Sequence, residues 1–454
     1  MLSVILFSEV KGLQPLGKYF LVRFFQCFGV ADPVGLGVKT LAKQFGLSDS
    51  QVSEALAALI ACGVMSFSSI SEGRGRPKRS YQLTDHFLKR LSKAVPQPVP
   101  QHEEMVDGLL RHENWKAAER SDRSTTQKKD VGPLASIRDK RQPDRLSAVN
   151  RLLLSVLLCS ADRIGVVTDL GYSTLRKVTG LSTERLRNRV QRLIDQGFVR
   201  VYVPGATSAL LSAKQKGTYF LNLNHPQLSI EGDVTSIFIC TMTYDPSESA
   251  RDAQKIYKDV TKLKHDPNAF DNRPSNKWLR FFGGQPLPFF RLLQVILEKY
   301  SADMLSMQWN ALGPCAANKW AHVEEWKARV RKDFRLSDQE GHLMHIDAGE
   351  QSALVDDLHY SAYVLATRIK TLLSQASNIS FEAMDFVIIP QPMGRAYCDI
   401  AVLARSRDAN GWVGGLYVKP YAESQPFSFE SDICLEGKYR VGLLTRPSGE
   451  AIVA

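Results

Sequence analysis

One pattern occurs twice in this chain, at an offset of 134 residues. The first copy reads Thr40-Leu41-Ala42-Lys43-Gln44-Phe45-Gly46-Leu47-Ser48 and runs on to Cys62-Gly63-Val64. The second reads Thr174-Leu175-Arg176-Lys177-Val178-Thr179-Gly180-Leu181-Ser182 and runs on to Gln196-Gly197-Phe198. The copies stay in step without a gap through Met65 and Val199. A repeat that keeps its glycines, its serine and its apolar positions in register constrains both copies to one local fold.

That fold reads as helix, tight turn, helix and β-hairpin. Leu41, Ala42 and Phe45 share one face at helical spacing. Gly46 can take the left-handed conformation that ends a helix. Leu47 fills the angle between the helices, and Ser48 or Asp49 can cap the next one through a side-chain oxygen. Val52, Leu56, Leu59 and Ile60 then form one stripe up to Gly63. The second copy repeats this with Leu175, Val178, Gly180, Leu181 and Ser182, then Leu186, Val190, Leu193, Ile194 and Gly197. Thr183 and Glu184 follow its cap, so negative charge sits at the positive helix end. A densely apolar helix precedes each pair, over Lys18 to Gln26 and over Arg151 to Cys159. The first hairpin is expected over Val64 to Phe67 and Ser80 to Leu83, the second over Phe198 to Val203 and Thr218 to Leu223.

On these residues the chain resembles the winged helix-turn-helix superfamily, in the style of bacterial regulators of the MarR and ArsR kind. The resemblance covers roughly 14–90 and 146–225, under half of the chain. Its most specific stretch is Leu-Ala-x-x-Phe-Gly-Leu-Ser-x-Ser-x-Val-Ser-x-x-Leu in the first copy, closed by Cys-Gly-Val. The second copy departs by carrying Leu186 and Arg187 where the first has Val52 and Ser53. The resemblance implies double-stranded DNA as partner, with the second helix of each pair entering the major groove.

The polar side chains opposite the apolar stripe are then the candidate base readers. The first copy offers Ser50, Gln51 and Ser53, with Glu54 facing outward. The second offers Thr183, Arg185, Arg187, Asn188 and Gln191. Arg matches guanine O6 and N7, and Asn or Gln matches adenine N6 and N7, so the second copy is the richer reader. The first copy has its charge at the hairpin tip instead, in Arg74, Arg76, Lys78 and Arg79. Its glycines let backbone approach a surface, and its arginines suit a narrow minor groove. Arg74-Gly75-Arg76-Pro77 also resembles the core of an AT-hook. The second hairpin carries Lys214 and Lys216 near its tip.

Charge is divided along the chain as this reading requires. The net formal charge is +11. Residues through Asp233 hold 33 Lys and Arg against 21 Asp and Glu, and the remainder holds 25 against 26. A basic half fits a polyanionic partner. Seven scattered cysteines without a Cys-x-x-Cys pair, and no signal segment, point to a reducing cytoplasm, where the expected DNA partner would make the protein nucleoid-associated. Cys27, Cys62 and Cys159 sit in apolar helical contexts and are expected in the core. Leu152 to Cys159 is apolar but far short of a membrane span, so no membrane partner is expected.

The fold class that follows is α+β and mostly helical. Winged helix-turn-helix domains over 1–94 and 146–233 flank a flexible linker over 95–145. Pro96, Pro98, Pro100 and the polar run Ser121 to Lys129 mark that linker, with a weak helix near Glu103 to Glu119 inside it. The linker would let the two modules move independently. A mainly helical region over 234–380 follows, with a strand at Ser236 to Thr243 and helices over 246–265, Leu287 to Tyr300, Trp320 to Phe334 and Leu354 to Leu373. A small β-rich domain over 381–454 closes the chain, with strands at Phe386 to Ile389, Tyr397 to Ala404, Trp412 to Tyr417 and Tyr439 to Leu444.

Nothing in this half signals catalysis. His342, His345 and Asp347, with Glu350 and His359 downstream, lack a helical i, i+4 histidine pair and read as a polar loop before a helix. Asp399 and Lys419 resemble the layout of PD-(D/E)xK nucleases, but Tyr417 stands where the second acid belongs, and two-metal chemistry needs carboxylates. No phosphate loop and no Gly-x-Ser-x-Gly is present. The sequence therefore points to a DNA-binding protein without catalytic residues, metal or cofactor. Its task reads as prokaryotic transcriptional control. The alternatives are a replication initiator or partition protein of a plasmid or integrative element, and an assembly factor whose winged helices bind proteins. The C-terminal half is left for homodimerisation, ligand sensing or a protein partner.

Overall fold

The computed structural model describes residues 2–30, 32–70, 78–93, 100–111, 146–212, 214–229, 233–242, 250–270, 274–313, 322–336, 347–376, 379–391, 399–408 and 411–447. The chain is α+β and mostly helical, and it divides into two compact units. One comprises Met1–Phe198 with His225–Ile230, the other Val199–Asn224 with Glu231–Ala454.

The N-terminal unit runs α1 (Leu2–Phe7), α2 (Pro15–Phe28), α3 (Val38–Phe45), α4 (Asp49–Ala61), β1 (Met65–Ile70), β2 (Lys78–Leu83), α5 (Asp85–Ser92) and α6 (Glu103–Arg111). It continues with α7 (Ala148–Cys159), the two-residue strand β3 (Val166–Val167), α8 (Tyr172–Thr179) and α9 (Thr183–Asp195). Both turn glycines are left-handed, Gly46 at φ 66° and Gly180 at φ 72°. Ser48 and Ser182 cap α4 and α9 through their hydroxyls. The hairpin β1–β2 pairs Met65 with Leu83 through to Ile70 with Lys78. Val34 adds a bridge that no sequence pattern announced, exchanging two backbone hydrogen bonds with Tyr81 at 2.8 and 3.0 Å.

The two copies are not separate bodies. Helices α2 and α7 pack on each other, and every residue of α7 from Asn150 to Leu158 is buried. A helix apolar on all sides needs cover on all sides, and each copy's first helix covers the other's. The Arg151 guanidinium lies 5.0 Å over the Tyr19 ring within this contact. Helix α6, inside the segment expected to be a flexible linker, buries Val106, Leu109 and Leu110 and packs on α7. Gln26 of α2 donates to the Asp107 carbonyl at 3.1 Å, and His102 lies 2.6 Å from the Asp162 carbonyl. Residues 103–111 of the expected linker are thus a packed helix, since three apolar positions at helical spacing, Val106, Leu109 and Leu110, are buried. Residues 94–99 and 112–145 of that segment lie outside the described residues. The cysteines also differ from expectation: Cys27 and Cys159 are half-buried and Cys62 is exposed, since each sits at the end of its helix, past the apolar stripe.

The C-terminal unit begins with the hairpin β4 (Val199–Val203) and β5 (Thr218–Leu221), paired antiparallel. It continues with β6 (Ser236–Thr241), α10 (Ala253–His265), α11 (Pro274–Lys277), a 3₁₀ turn at Trp278–Phe282, α12 (Leu287–Gln308), α13 (Val323–Asp333) and α14 (Ala348–Ala376). It closes with β7 (Met384–Ile388), β8 (Asp399–Ser406), β9 (Gly415–Val418), β10 (Gln425–Phe427) and α15 (Leu435–Arg440). The sheet order is β10-β9-β6-β8-β7. Strand β6 is its centre, antiparallel to β8 and parallel to β9. The terminal strands therefore do not form a domain of their own. The run Ile237-Phe238-Ile239-Cys240, buried throughout, is the apolar stretch of a central strand, and it joins the helical middle region to the terminal strands. Helix α12 lies against β7 and α14 against α12, while Trp309 stacks on Phe386 at 5.6 Å.

One local expectation is corrected here. The strand expected over Tyr439 to Leu444 is the end of α15 and a turn at Gly442, φ 71°. The alternation of Tyr439, Val441 and Leu443 resembles a strand, but Gly442 reverses the chain and all three are buried without pairing. The second hairpin falls within the bounds of the C-terminal unit. Arg200 of β4 forms a two-pronged ion pair with Glu430 at 2.9 and 2.6 Å, both fully buried. The Arg200 carbonyl accepts from the Thr445 N–H and hydroxyl at 2.9 and 2.8 Å.

Two substitutions and one pH series test these contacts. At Gly180 an added Cβ would collide with the Leu13 carbonyl oxygen, whereas at Gly63, φ 66°, it would meet nothing within 4 Å. Gly63→Ala should cost only the left-handed penalty of about 1–2 kcal/mol, and Gly180→Ala clearly more; urea denaturation compares them. In α12, Glu298 is fully buried and accepts one hydrogen bond, from Gln294 at 2.9 Å. Burial pushes its carboxyl up to about 8. The folded chain thus holds a proton that the unfolded chain releases near pH 4.3, so this residue's contribution to stability falls as pH rises from there through 8. Glu298→Gln should flatten that fall, read as melting temperature at pH 5 against pH 9.

Candidate nucleic-acid interface

The two repeat copies place equivalent helices, α4 and α9, behind equivalent turns, but present different chemistry. The difference starts at the third helical position, Gln51 in the first copy and Arg185 in the second.

In α4, the Gln51 side chain accepts from the Ser48 N–H at 3.0 Å, while Ser48 Oγ accepts from the Gln51 N–H at 3.2 Å. This closes a capping box. Ser50 Oγ lies 2.9 Å from Ser48 Oγ, and Ser53 Oγ donates to the Asp49 carbonyl at 2.9 Å. All three sequence-nominated readers of the first copy are thus engaged in holding the start of their own helix. Gln51 is half-buried, and Ser50 and Ser53 are exposed.

In α9, Arg185 cannot close such a box, because a guanidinium has no acceptor. Ser182 still caps the helix, accepting from the Arg185 N–H at 3.3 Å. Thr183, Arg185, Arg187 and Asn188 are exposed and have no side-chain partner among the described residues. Gln191 is different: its amide donates to Asp195 at 2.9 Å. The sequence reading missed three further cations and one clamp. Arg176 and Lys177, at the end of α8, and Arg192, on α9, are exposed. Arg189 donates to Ser147 Oγ and Asn150 Oδ1, both at 3.2 Å, and so fixes α9 to the start of α7. Partial burial, with Arg192 and Arg185 nearby, lowers the Arg189 pKa, which marks overlapping positive fields. Arg192 and Arg185 lie two turns apart on one face, a signal present in the sequence at i, i+7.

The hairpin readings divide by position. Arg74 and Arg76 lie outside the described residues, and Lys78 is described only as the first residue of β2. Arg79 is exposed, with its guanidinium 5.0 Å over the ring of Phe67, itself 45% exposed. On the second hairpin connection, Lys214 and Lys216 are exposed.

The weaker chemical candidates resolve into local structure. His342 and His345 lie outside the described residues. Asp347 and Glu350 cap the start of α14 reciprocally, at 2.8 and 3.3 Å. His359 is buried in α14, and burial lowers its pKa to about 4. Asp399 and Lys419 do line one cleft of about 530 Å³, with Tyr417 and Arg440. Strand β6 separates their strands, however, so β8 and β9 are not the hairpin a nuclease layout assumes. Asp399 accepts the Thr241 hydroxyl at 2.7 Å.

The chain matches no protein-family model, and no curated protein matches it in sequence. Among the described residues, no helix is long and apolar enough to cross a membrane.

The division of labour within the repeat is testable at the equivalent positions. Gln51→Ala opens the capping box and should cost about 1 kcal/mol of stability, while Gln51→Glu keeps an acceptor there and should retain it. Arg185→Ala removes no side-chain partner among the described residues and should leave the melting temperature of the chain unchanged.

Proposed function

We propose that this protein is a sequence-specific binder of double-stranded DNA, built on two winged helix-turn-helix modules. Its proposed task is transcriptional control in a prokaryote. The observation that carries this reading is the exposed, unpartnered set Thr183, Arg185, Arg187 and Asn188 on one helix directly behind a turn. Arg and Asn are the side chains that make two-pronged contacts to guanine and adenine. Arg176, Lys177 and Arg192 supply phosphate contacts around them, which fix register while the base contacts specify.

The two copies take different parts in this reading. The second reads bases through α9. The first contributes its hairpin, with Arg79 braced on Phe67 and Arg74 and Arg76 toward the minor groove, while α4 is a positioning element. Because α2 and α7 share one compact unit, the two modules are proposed to bind as a pair of fixed spacing. One chain then does what a dimer of single readers does elsewhere. A replication initiator of a mobile element needs the same fixed pair, to read repeated origin sites.

Genome-wide mapping of bound DNA separates these tasks, since one promoter palindrome marks a regulator and an array of direct repeats an initiator. A gel-shift salt titration tests the shared premise; absence of duplex binding at low salt would remove it. Arg185→Ala or Arg187→Ala should cost about 1–3 kcal/mol at one base pair. An equal effect on every sequence would reassign the residue to phosphate. Arg74→Ala with Arg76→Ala should flatten the salt slope by roughly 0.9 for each phosphate no longer neutralised; an unchanged slope would take the hairpin tip off the phosphates.

A further inference from the structure

The C-terminal unit carries almost no net charge, yet its charge is segregated. From Arg251 to Arg291 the chain holds nine Lys and Arg against four Asp, while the rest of the chain after Asp233 holds sixteen basic and twenty-two acidic residues. Three of those four aspartates serve the local structure. Asp252 accepts from the Lys255 N–H at 2.6 Å as cap of α10, Asp259 pairs with Arg251 at 3.4 Å, and Asp266 accepts from the Asn268 N–H at 3.0 Å.

Six of the nine basic residues, Lys255, Lys258, Lys262, Lys264, Arg280 and Arg291, are exposed. Lys255, Lys258, Lys262 and His265 are exposed and recur at i, i+3, i+7 and i+10, which puts them on one face of α10 over about 15 Å. The opposite face holds α10 to the core through Ala253 and Ile256. His265, the last of these four, also lines a cleft of about 580 Å³ that runs along the other side of α10. Half-buried Tyr257, Val260 and Leu263 give it an apolar wall, and exposed Lys264 and Arg280 give it a cationic rim, with the His265 ring between them in sequence. Gly283 and Gly284 line the far side, where an added Cβ on Gly284 would meet nothing within 4 Å.

An apolar cleft with a cationic mouth, beside a helix whose other side carries a row of lysines, matches a polyanion that also carries flat apolar groups. Single-stranded nucleic acid is that partner: its phosphates follow a positive track while its bases lie on aromatic and aliphatic side chains. A duplex offers the same phosphates but keeps its bases within its own stack. We propose that this part of the C-terminal unit binds a single nucleic-acid strand, with a base in the cleft, phosphates at its rim on Lys264 and Arg280, and the strand continuing over the end of α10 toward Lys262 and Lys258. The site lies wholly in the C-terminal unit and stands independently of the reading of the repeats.

Fluorescence anisotropy on the full chain tests it, with a labelled thymidine oligonucleotide of about 20 nucleotides, an abasic strand of equal length and a duplex. The chain should bind the thymidine strand, and the combined Lys258→Ala, Lys264→Ala, Arg280→Ala variant should bind it about tenfold more weakly, with the salt slope reduced by about 0.7 for each phosphate no longer neutralised. The substituted side chains are exposed, and the variant should keep its melting temperature and its duplex affinity. The abasic strand should bind the unaltered chain several-fold more weakly than thymidine. No binding of the thymidine strand at low salt, or equal binding by the triple variant, would overturn the proposal. Equal affinity for the abasic strand would overturn the placement of a base in the cleft. Failure of the repeat reading shows elsewhere, as absence of duplex binding with strand binding intact.

Discussion

Two densely apolar helices cannot both face water, and α2 and α7 meet this constraint by packing on each other. Much of the N-terminal unit depends on that contact. It brings Arg151 over Tyr19, and the same unit sets the Gly180 turn against the Leu13 carbonyl. It also leaves a seam that α6 closes, with apolar side chains on α7 and a hydrogen bond from Gln26 of α2. Large buried side chains at such a contact are sensitive to volume, so the copies are held at one spacing. The proposed DNA readers inherit that spacing.

The repeat is a duplicated scaffold with divergent surfaces. At the third position of the second helix, one residue decides the outcome. Gln51 has an acceptor and folds back to the Ser48 N–H; Arg185 has none and stays extended into solvent. Two residues on, Ser53 back-bonds to its own helix while Arg187 remains free of described partners. Ala55 of α4 is buried, and its equivalent Arg189 ties α9 to α7. A helix with two acidic and no basic residues in one copy and one with four arginines in the other thus arise on the same backbone.

In the C-terminal unit the central strand comes first in sequence and its neighbours come last. Strand β6 pairs with β8 and β9 across more than 150 residues, so the sheet exists only when the helical middle region has been folded around it. The same long-range closure binds Arg200 to Glu430. An ion pair this deeply buried contributes little net stability beside an apolar replacement, but removing either partner leaves a charge stranded. It therefore fixes how β4 meets the end of the chain more than how strongly.

Much of the local structure was legible from residue order. The helix boundaries at Ser48 and Ser182, the turns at Gly46 and Gly180 and the hairpin β1–β2 follow from caps, left-handed glycines and apolar period, all of which act within a few residues. The basic character of α9 was legible too, although Arg189 could not be told from Arg187 before α7 was placed beside it. Other features were not legible because their causes lie far away in sequence. The fate of α6 depended on a seam between two distant helices, and the apolar alternation at Tyr439 to Leu444 was satisfied by burial in a turn. The engagement of Ser50, Gln51 and Ser53 was missed although it is local, since the same side chains can face outward or cap. The sequence by itself determined which segments are helices, where they stop and where positive charge gathers, because capping, periodicity and charge are local properties. Only the tertiary structure decided which apolar faces meet, which strand is central and which polar side chains remain free, because those outcomes are set by competition among distant partners for the same buried surface.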